Sequence, residues 1–234
     1  MDKLLIFDLW GDYAHFKKHY TTTSPLSFPF PPRTTIAGII SCLIGLDKKE
    51  YLAYFGRDFA WISVRLLAPV KKIRLGQNLI DTKKGFFNIK QRTQIRIEYI
   101  KDPKYRIYFY HSNPKEIYQP LKRYLENHQS VYTVSLGLSG LLANFSFIGE
   151  YPLHKISSQD SVEIDSVVPS GQLSGRIEFE EGKEYFSVNI PIEMQKGRVV
   201  TNYGEVNYER NGKKILCQPD SYYEVENGEK ILFL

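Results

Sequence analysis

Among side chains able to move protons or hold ions, the chain offers five histidines: His15, His19, His111, His128 and His154. His15 and His19 are four residues apart, but no carboxylate stands near them in a zinc-binding pattern, so no metal site is expected. A histidine near Lys and Tyr can cleave RNA by general acid–base chemistry without a metal. His111 closes the tyrosine-rich run KYRIYFYH and is the candidate base for such an activity; the plainer reading is a capping or surface histidine. Asp8, Asp12 and Glu98 form no recognisable carboxylate pair. The sequence lacks a GxxxxGKS or GxxxxGKT loop, a GxGxxG after a strand and a GxSxG elbow. Cys42 and Cys217 stand far apart with no CxxC, which argues against structural zinc and a disulfide framework. No catalytic residue, metal or cofactor is assigned.

Groups suited to holding an anion are better represented. Arg33, Thr34 and Thr35 stand at the start of a helical pattern. Free N–H groups and the helix dipole favour a phosphate there, and a guanidinium adds a bidentate partner. Alone, the same residues also read as a plain N-cap. Ser135–Gly140, SLGLSG, could turn backbone N–H groups toward phosphates, although a turn needs glycine anyway. The stretch KKGFFNIKQRTQIRIEYIKDPKYR (83–106) interleaves Lys83, Lys84, Lys90, Arg92 and Arg96 with Phe86, Phe87, Tyr99 and Tyr105. Cations neutralise phosphates while aromatic faces stack on unpaired bases. A basic-faced hairpin with a buried side would look similar.

These groups must be positioned by a limited set of elements. Residues 3–10 read as a strand, followed by a Thr/Ser/Pro loop that ends in Phe30-Pro31-Pro32. Ile36, Ile39, Ile40, Leu43 and Ile44 mark one helical face, with Thr34 as the expected N-cap and Gly45 as the stop. Gly38 inside that helix costs roughly 1 kcal/mol against Ala, so a close approach by another element or a ligand is expected there. Residues 59–68 read as a second strand, 70–100 as a long basic hairpin or protruding loop and 104–110 as a third strand. A second helix is expected over 114–128, with Pro114 at its start, and a fourth strand over 144–151. The order β-α-β-β-α-β, with the basic excursion before the third strand, is that of a ferredoxin-like, RRM-like domain. From about 152 only short alternating runs between Gly, Asn and Pro turns remain, which predicts a small antiparallel β domain. The fold class is therefore α+β, with domains 1–151 and 152–234.

The charge is unevenly spread over the 234 residues. The net charge is +5, yet residues 65–106 hold twelve Lys/Arg against three acids, so the rest of the chain is net acidic. A basic segment of this density is the footprint of a polyanion contact. The first apolar run is too short for a signal peptide and contains Asp8. No stretch approaches the roughly 20 apolar residues that span a bilayer. A cytoplasmic location without membrane contact is expected.

Three blocks carry a family resemblance. GDYAHFKKHYTTTSPLSFPFPPRTTIAGIISCLIGL (11–46) is similar to the N-terminal signature of the fifth Cas family of the RAMP superfamily, subunits of type I CRISPR Cascade complexes. QRTQIRIEYIKDPKYRIYF (91–109) and VSLGLSGLLANFSFIGEY (134–151) resemble its second and glycine-loop blocks. Details look most like the type I-B branch. The resemblance implies a RAMP domain with a thumb hairpin (about 70–103) and a small C-terminal β domain. It implies a non-catalytic antiviral subunit that binds and caps the 5′ handle of the crRNA. The expected partners are the Cascade backbone and large subunits, with target DNA met indirectly through the complex. RNA contacts would fall on Lys17, Lys18, Arg33, Thr34, Thr35, Lys83, Lys84, Lys90, Arg92, Gln94, Arg96 and Gly137, Leu138, Ser139, Gly140. One branch cleaves precursor RNA itself; LIGLDKKEYLAYFG after the first helix departs from its pattern. The alternative function is a metal-independent endoribonuclease acting on CRISPR repeats.

Overall fold

A computed structural model describes residues 3–80, 92–157 and 160–234. The chain opens with β1 (Lys3–Gly11), then the short β2 (Tyr13–Ala14), β3 (Phe16–Lys17) and β4 (Ser27–Phe28), and helix α1 (Arg33–Ile44). Strand β5 (Ala60–Leu66) leads to a hairpin of β6 (Lys71–Ile80) and β7 (Arg92–Lys101); β8 (Lys104–His111), α2 (Gln119–Glu126) and β9 (Ala143–Ile156) follow. Strands β9, β1, β8 and β5 lie side by side and antiparallel in that order. That is the ferredoxin-like arrangement the element order predicts.

The apolar run of β1 is explained by what covers its two faces. Leu5, Phe7 and Leu9 join Ile36, Ile40 and Leu43 of α1 in the main core. Leu4 and Ile6 point the other way, to Tyr108, Leu153, Val225, Ile231 and Phe233. A sheet buried on both faces needs apolar residues at every position rather than alternation.

One helix detail departs from expectation. Pro32, not Thr34, precedes α1, and its carbonyl accepts the N–H groups of Thr35 (2.8 Å) and Ile36 (3.0 Å). The Pro31-Pro32 pair holds the chain extended up to residue 32, so helical geometry begins directly at Arg33. The stop is as expected: Gly45 is left-handed (φ 81°), and its N–H reaches Ser41 O at 2.8 Å. The second helix runs over 114–126, close to the expected 114–128. Residues 114–118 are one π-helical turn, with the Tyr118 N–H on Asn113 O, and it passes directly into α2 at Gln119. Pro120 stands in the first turn of α2, and the wider turn before it takes up its missing N–H.

Among the described residues, the elements of the remainder are strands and one short 3-10 turn at 170–172: β10 (Val162–Ile164), β11 (Val168–Pro169), β12 (Leu173–Ile177), β13 (Tyr185–Gln195), β14 (Val199–Glu209), β15 (Ile215–Pro219), β16 (Tyr222–Val225) and β17 (Lys230–Ile231). Strands β10, β15 and β12 form one small sheet, and β11, β14 and β13 another. Strands β16 and β17 extend the main sheet beyond β9, which runs continuously through residues 151 and 152. The chain is thus α+β, a ferredoxin-like domain with a long basic hairpin and a small antiparallel β region.

Charge also fastens the two regions. Arg65 of β5 meets Glu229 (2.6 Å) and Asp165 (3.0 Å), and Arg106 of β8 meets Asp8 (2.8 Å) and Glu229 (2.9 Å). The carboxylates are buried. Such a cluster is costly to break, because removing one partner leaves a desolvated charge.

Candidate nucleic-acid interface

The start of α1 and the glycine loop lie about a hundred residues apart in sequence, and the fold brings them together. Thr34, Thr35 and Gly38 of α1 share one cleft with Ser135 and Gly137 of the loop and with Met194 and Arg198 of the β13–β14 hairpin. The cleft measures about 380 Å³. A neighbouring depression continues past Gly38 and Arg198 toward Asp47, Lys48 and Tyr132.

Each wall has a local cause. Gly137 adopts φ +100°, and a Cβ there would lie 2.0 Å from the His15 carbonyl oxygen, so only glycine lets the loop seat on the segment before β3. The His15 N–H reaches Leu136 O at 2.9 Å, and the Leu136 N–H reaches Leu141 O at 2.9 Å. The loop tip, Leu138, Ser139 and Gly140, is left exposed. At Gly38 a Cβ would find only the Tyr51 hydroxyl, at 4.0 Å. Gly38 thus keeps the wall of the cleft open beside Tyr51.

Arg198 supplies the charge. It is exposed, has φ +61° in the turn after Lys196-Gly197, and forms no ion pair among the described residues. A non-glycine residue held left-handed costs about 1 kcal/mol or more. Burial pushes the Tyr51 phenol up, and the Arg198 guanidinium partly offsets this, so the cation faces the Tyr51 wall of the cleft.

Arg33 requires a correction. It is 2% exposed, and its guanidinium points inward, donating to Ile192 O at 3.1 Å and Ala60 O at 2.7 Å. Desolvation by burial brings its pKa down to about 10, against the opposing charge of Glu193. Arg33 therefore holds the cleft together from behind instead of facing a phosphate.

The basic hairpin pairs from Lys71 opposite Lys101 to Ile80 opposite Arg92. Cross-strand partners share a face, so Arg74, Arg92, Gln94 and Arg96 stand on one side, with Gln94 reaching Asn78 at 3.4 Å. Ile73, Leu75, Leu79 and Ile95 stand on the other. Arg92, Gln94 and Arg96 are exposed. Near the base, Glu98 neutralises Lys72 at 3.0 Å and lies 3.8 Å from Arg74. Lys83, Lys84, Lys90, Phe86 and Phe87 lie outside the described residues. Tyr99 and Tyr105 are core residues, 4% and 2% exposed, so the stacking role expected of them is corrected: both rings were spent on packing. Lys17 is exposed on β3, and the Lys18 ammonium sits 5.6 Å from the Phe28 ring.

His111 is buried and engaged at both nitrogens. Nε2 lies 2.7 Å from Tyr54 O, and Nδ1 accepts the Asn113 N–H at 2.9 Å. Those partners fix a neutral ring with the proton on Nε2, and burial lowers its pKa. It is a strand-end cap with no nitrogen left for a substrate. Among the described residues no three His, Cys, Asp or Glu side chains group to hold a metal ion. No helix among them is long and apolar enough to cross a membrane.

Residues 4–104 match the family model of the CRISPR-associated protein (Cas_Cas5). The match is a likeness over that stretch, which is less than half of the chain. The Cas5-like part includes α1 with Thr34, Thr35 and Gly38, and both hairpin strands; the glycine loop and Arg198 lie beyond it. No curated protein matches in sequence. Among solved structures, a CRISPR protein from Archaeoglobus fulgidus is similar at 16% identity and TM-score 0.56, with 98% of each chain covered. A chain of a CRISPR RNA-guided surveillance complex is similar at 12% identity and TM-score 0.53, with 91% of each chain covered. At these identities the likeness is one of fold, and it extends through the C-terminal β region as well as the Cas5-like part.

Sequence reasoning missed Arg198 and Met194. The three-residue turn Lys196-Gly197-Arg198 lies between two alternating strands that are visible in sequence. Its return onto α1 is not, since that depends on packing between residues more than 150 positions apart.

Proposed function

We propose that the chain is a non-catalytic, CRISPR-associated subunit of a type I interference complex, most like the I-B branch, that binds and caps the 5′ handle of the crRNA. One observation carries the reading: the α1 start and the glycine loop, both expected to touch the handle, line one open cleft with an unpaired arginine. Phosphates would lie on Arg198 and the backbone N–H groups of Thr34 and the loop, with Thr35 and Gly38 shaping the floor. Gly137 keeps the loop seated, and Leu138, Ser139 and Gly140 present its exposed tip. Arg92, Gln94, Arg96, Lys17 and Lys18 would extend the contact, as would Lys83, Lys84 and Lys90. Arg33 enters only as a positioning residue. The backbone and large subunits of the complex would be its protein neighbours, and target DNA would be met through them.

The engagement of both His111 nitrogens supports binding over cleavage. The test is equilibrium binding of a labelled CRISPR repeat RNA to the purified chain across a salt series. The reading expects log Kd to rise with log salt and Arg198→Ala to weaken binding severalfold. Salt-insensitive or absent binding would refute it.

A further inference from the structure

Three exposed rings from two distant parts of the chain meet beside Lys18. His19 and Tyr20 occupy the centre of a turn closed by Thr21 N–H to Lys18 O at 3.2 Å. The Thr21 hydroxyl pins that turn twice, donating to Lys18 O at 2.8 Å and accepting the Leu26 N–H at 3.1 Å. The display is therefore built, not a loose loop. Tyr203 arrives from β14; its ring centroid is 5.2 Å from that of His19, with its hydroxyl 3.4 Å from the imidazole nitrogens. Tyr20 stands edge-on to His19 at 5.1 Å and is 63% exposed, and Tyr203 is 38% exposed. The Lys18 ammonium lies 5.9 Å from the Tyr20 ring.

Rings held in place while so much of their surface stays in water add little to the core, so their use lies in contact with something else. Interleaved cations and exposed π-faces fit an unpaired nucleobase with its phosphate. Tyr203 shares its hairpin with Arg198 of the cleft. We infer that His19, Tyr20 and Tyr203 form a stacking platform for an unpaired base of single-stranded RNA, with Lys18 beside its phosphate. This rests on the RNA-binding reading above and supplies the stacking surface that Tyr99 and Tyr105 cannot.

The test uses the full chain and a single-stranded repeat RNA carrying 2-aminopurine at successive positions, read by fluorescence quenching and by Kd over a salt series. Wild type should quench one position strongly. Tyr20→Ala and Tyr203→Ala should each remove that quench and weaken binding about tenfold with the salt slope unchanged, because stacking releases no counterions. Tyr20→Trp should keep both. Exposure of Tyr20 means that its variants fold, which an unchanged unfolding midpoint checks. Unaltered quenching and affinity in both alanine variants, in a series where Arg198→Ala still weakens binding, would overturn the platform alone and leave those rings to a protein contact. Failure of wild type to bind RNA would overturn platform and RNA reading together.

Discussion

Arg33, the first helical residue of α1, donates to the carbonyl of Ile192 in β13 at 3.1 Å. A second N–H goes to Ala60 O at the start of β5, at 2.7 Å. One buried guanidinium thereby ties the helix that floors the cleft to the hairpin that carries Arg198. Arg33→Ala removes both bonds and leaves two buried carbonyls short of a donor, a loss of about 3 kcal/mol. Chemical denaturation should show that drop, and Arg33→Lys should recover only part of it, since one ammonium lacks the span of the fork. A stability equal to wild type in Arg33→Ala would refute the positioning role.

Gly38 separates stability from binding. Helix propensity favours Gly38→Ala by about 1 kcal/mol, and the added methyl meets only the Tyr51 hydroxyl at 4.0 Å. The same methyl intrudes on the cleft. The variant should unfold at higher denaturant yet bind repeat RNA more weakly, read by paired unfolding and binding curves.

Gly137 and Gly140 should differ although they are three residues apart. Gly137→Ala sets a Cβ against the His15 carbonyl and forces φ +100° on a side chain, so a loss above about 2 kcal/mol and a displaced loop are expected. Gly140→Ala meets nothing within 4 Å and should stay within about 0.5 kcal/mol of wild type. Thermal unfolding of the two variants side by side checks this.

How much of this was readable in sequence follows from range. Strand β1, helix α1 and the β6–β7 hairpin showed themselves because their signals are local: the Ile36–Ile39–Ile40–Leu43 spacing, Gly45 as stop, and cations concentrated between paired strands. The helix expected over 114–128 is present over 114–126, marked by the spacing of Leu121, Tyr124 and Leu125, while its opening π-helical turn leaves no local mark. The role of Arg33 is not legible locally, because a helix-start arginine looks the same in sequence whether it faces a phosphate or a distant carbonyl. Thr34, Thr35 and Gly137 could be named, but their meeting in one cleft, and the arrival of Arg198, depend on long-range packing that leaves no local mark.

Acid should loosen the join between the main sheet and the C-terminal strands. Burial alone would raise the Glu229 carboxyl, but the Asn227 hydrogen bond and the charges of Arg106 and Arg65 more than offset it and hold the group below the usual carboxylate range. Its folded pKa is thus depressed. The stabilisation is present above the unfolded value of about 4.3 and is lost as pH falls through the folded value. Glu229→Gln should cost roughly 3 kcal/mol at neutral pH and flatten the acid limb of the stability profile, seen by denaturation from pH 7 to pH 3.

The most direct test of the central claim incubates the full chain with labelled CRISPR repeat RNA, without added metal, and reads binding and cleavage in the same tubes. The capping account predicts salt-sensitive binding of the 5′ handle, weakened by Arg198→Ala, with the RNA intact. Cleavage at a single repeat position, or binding indifferent to both the handle and Arg198, would contradict it.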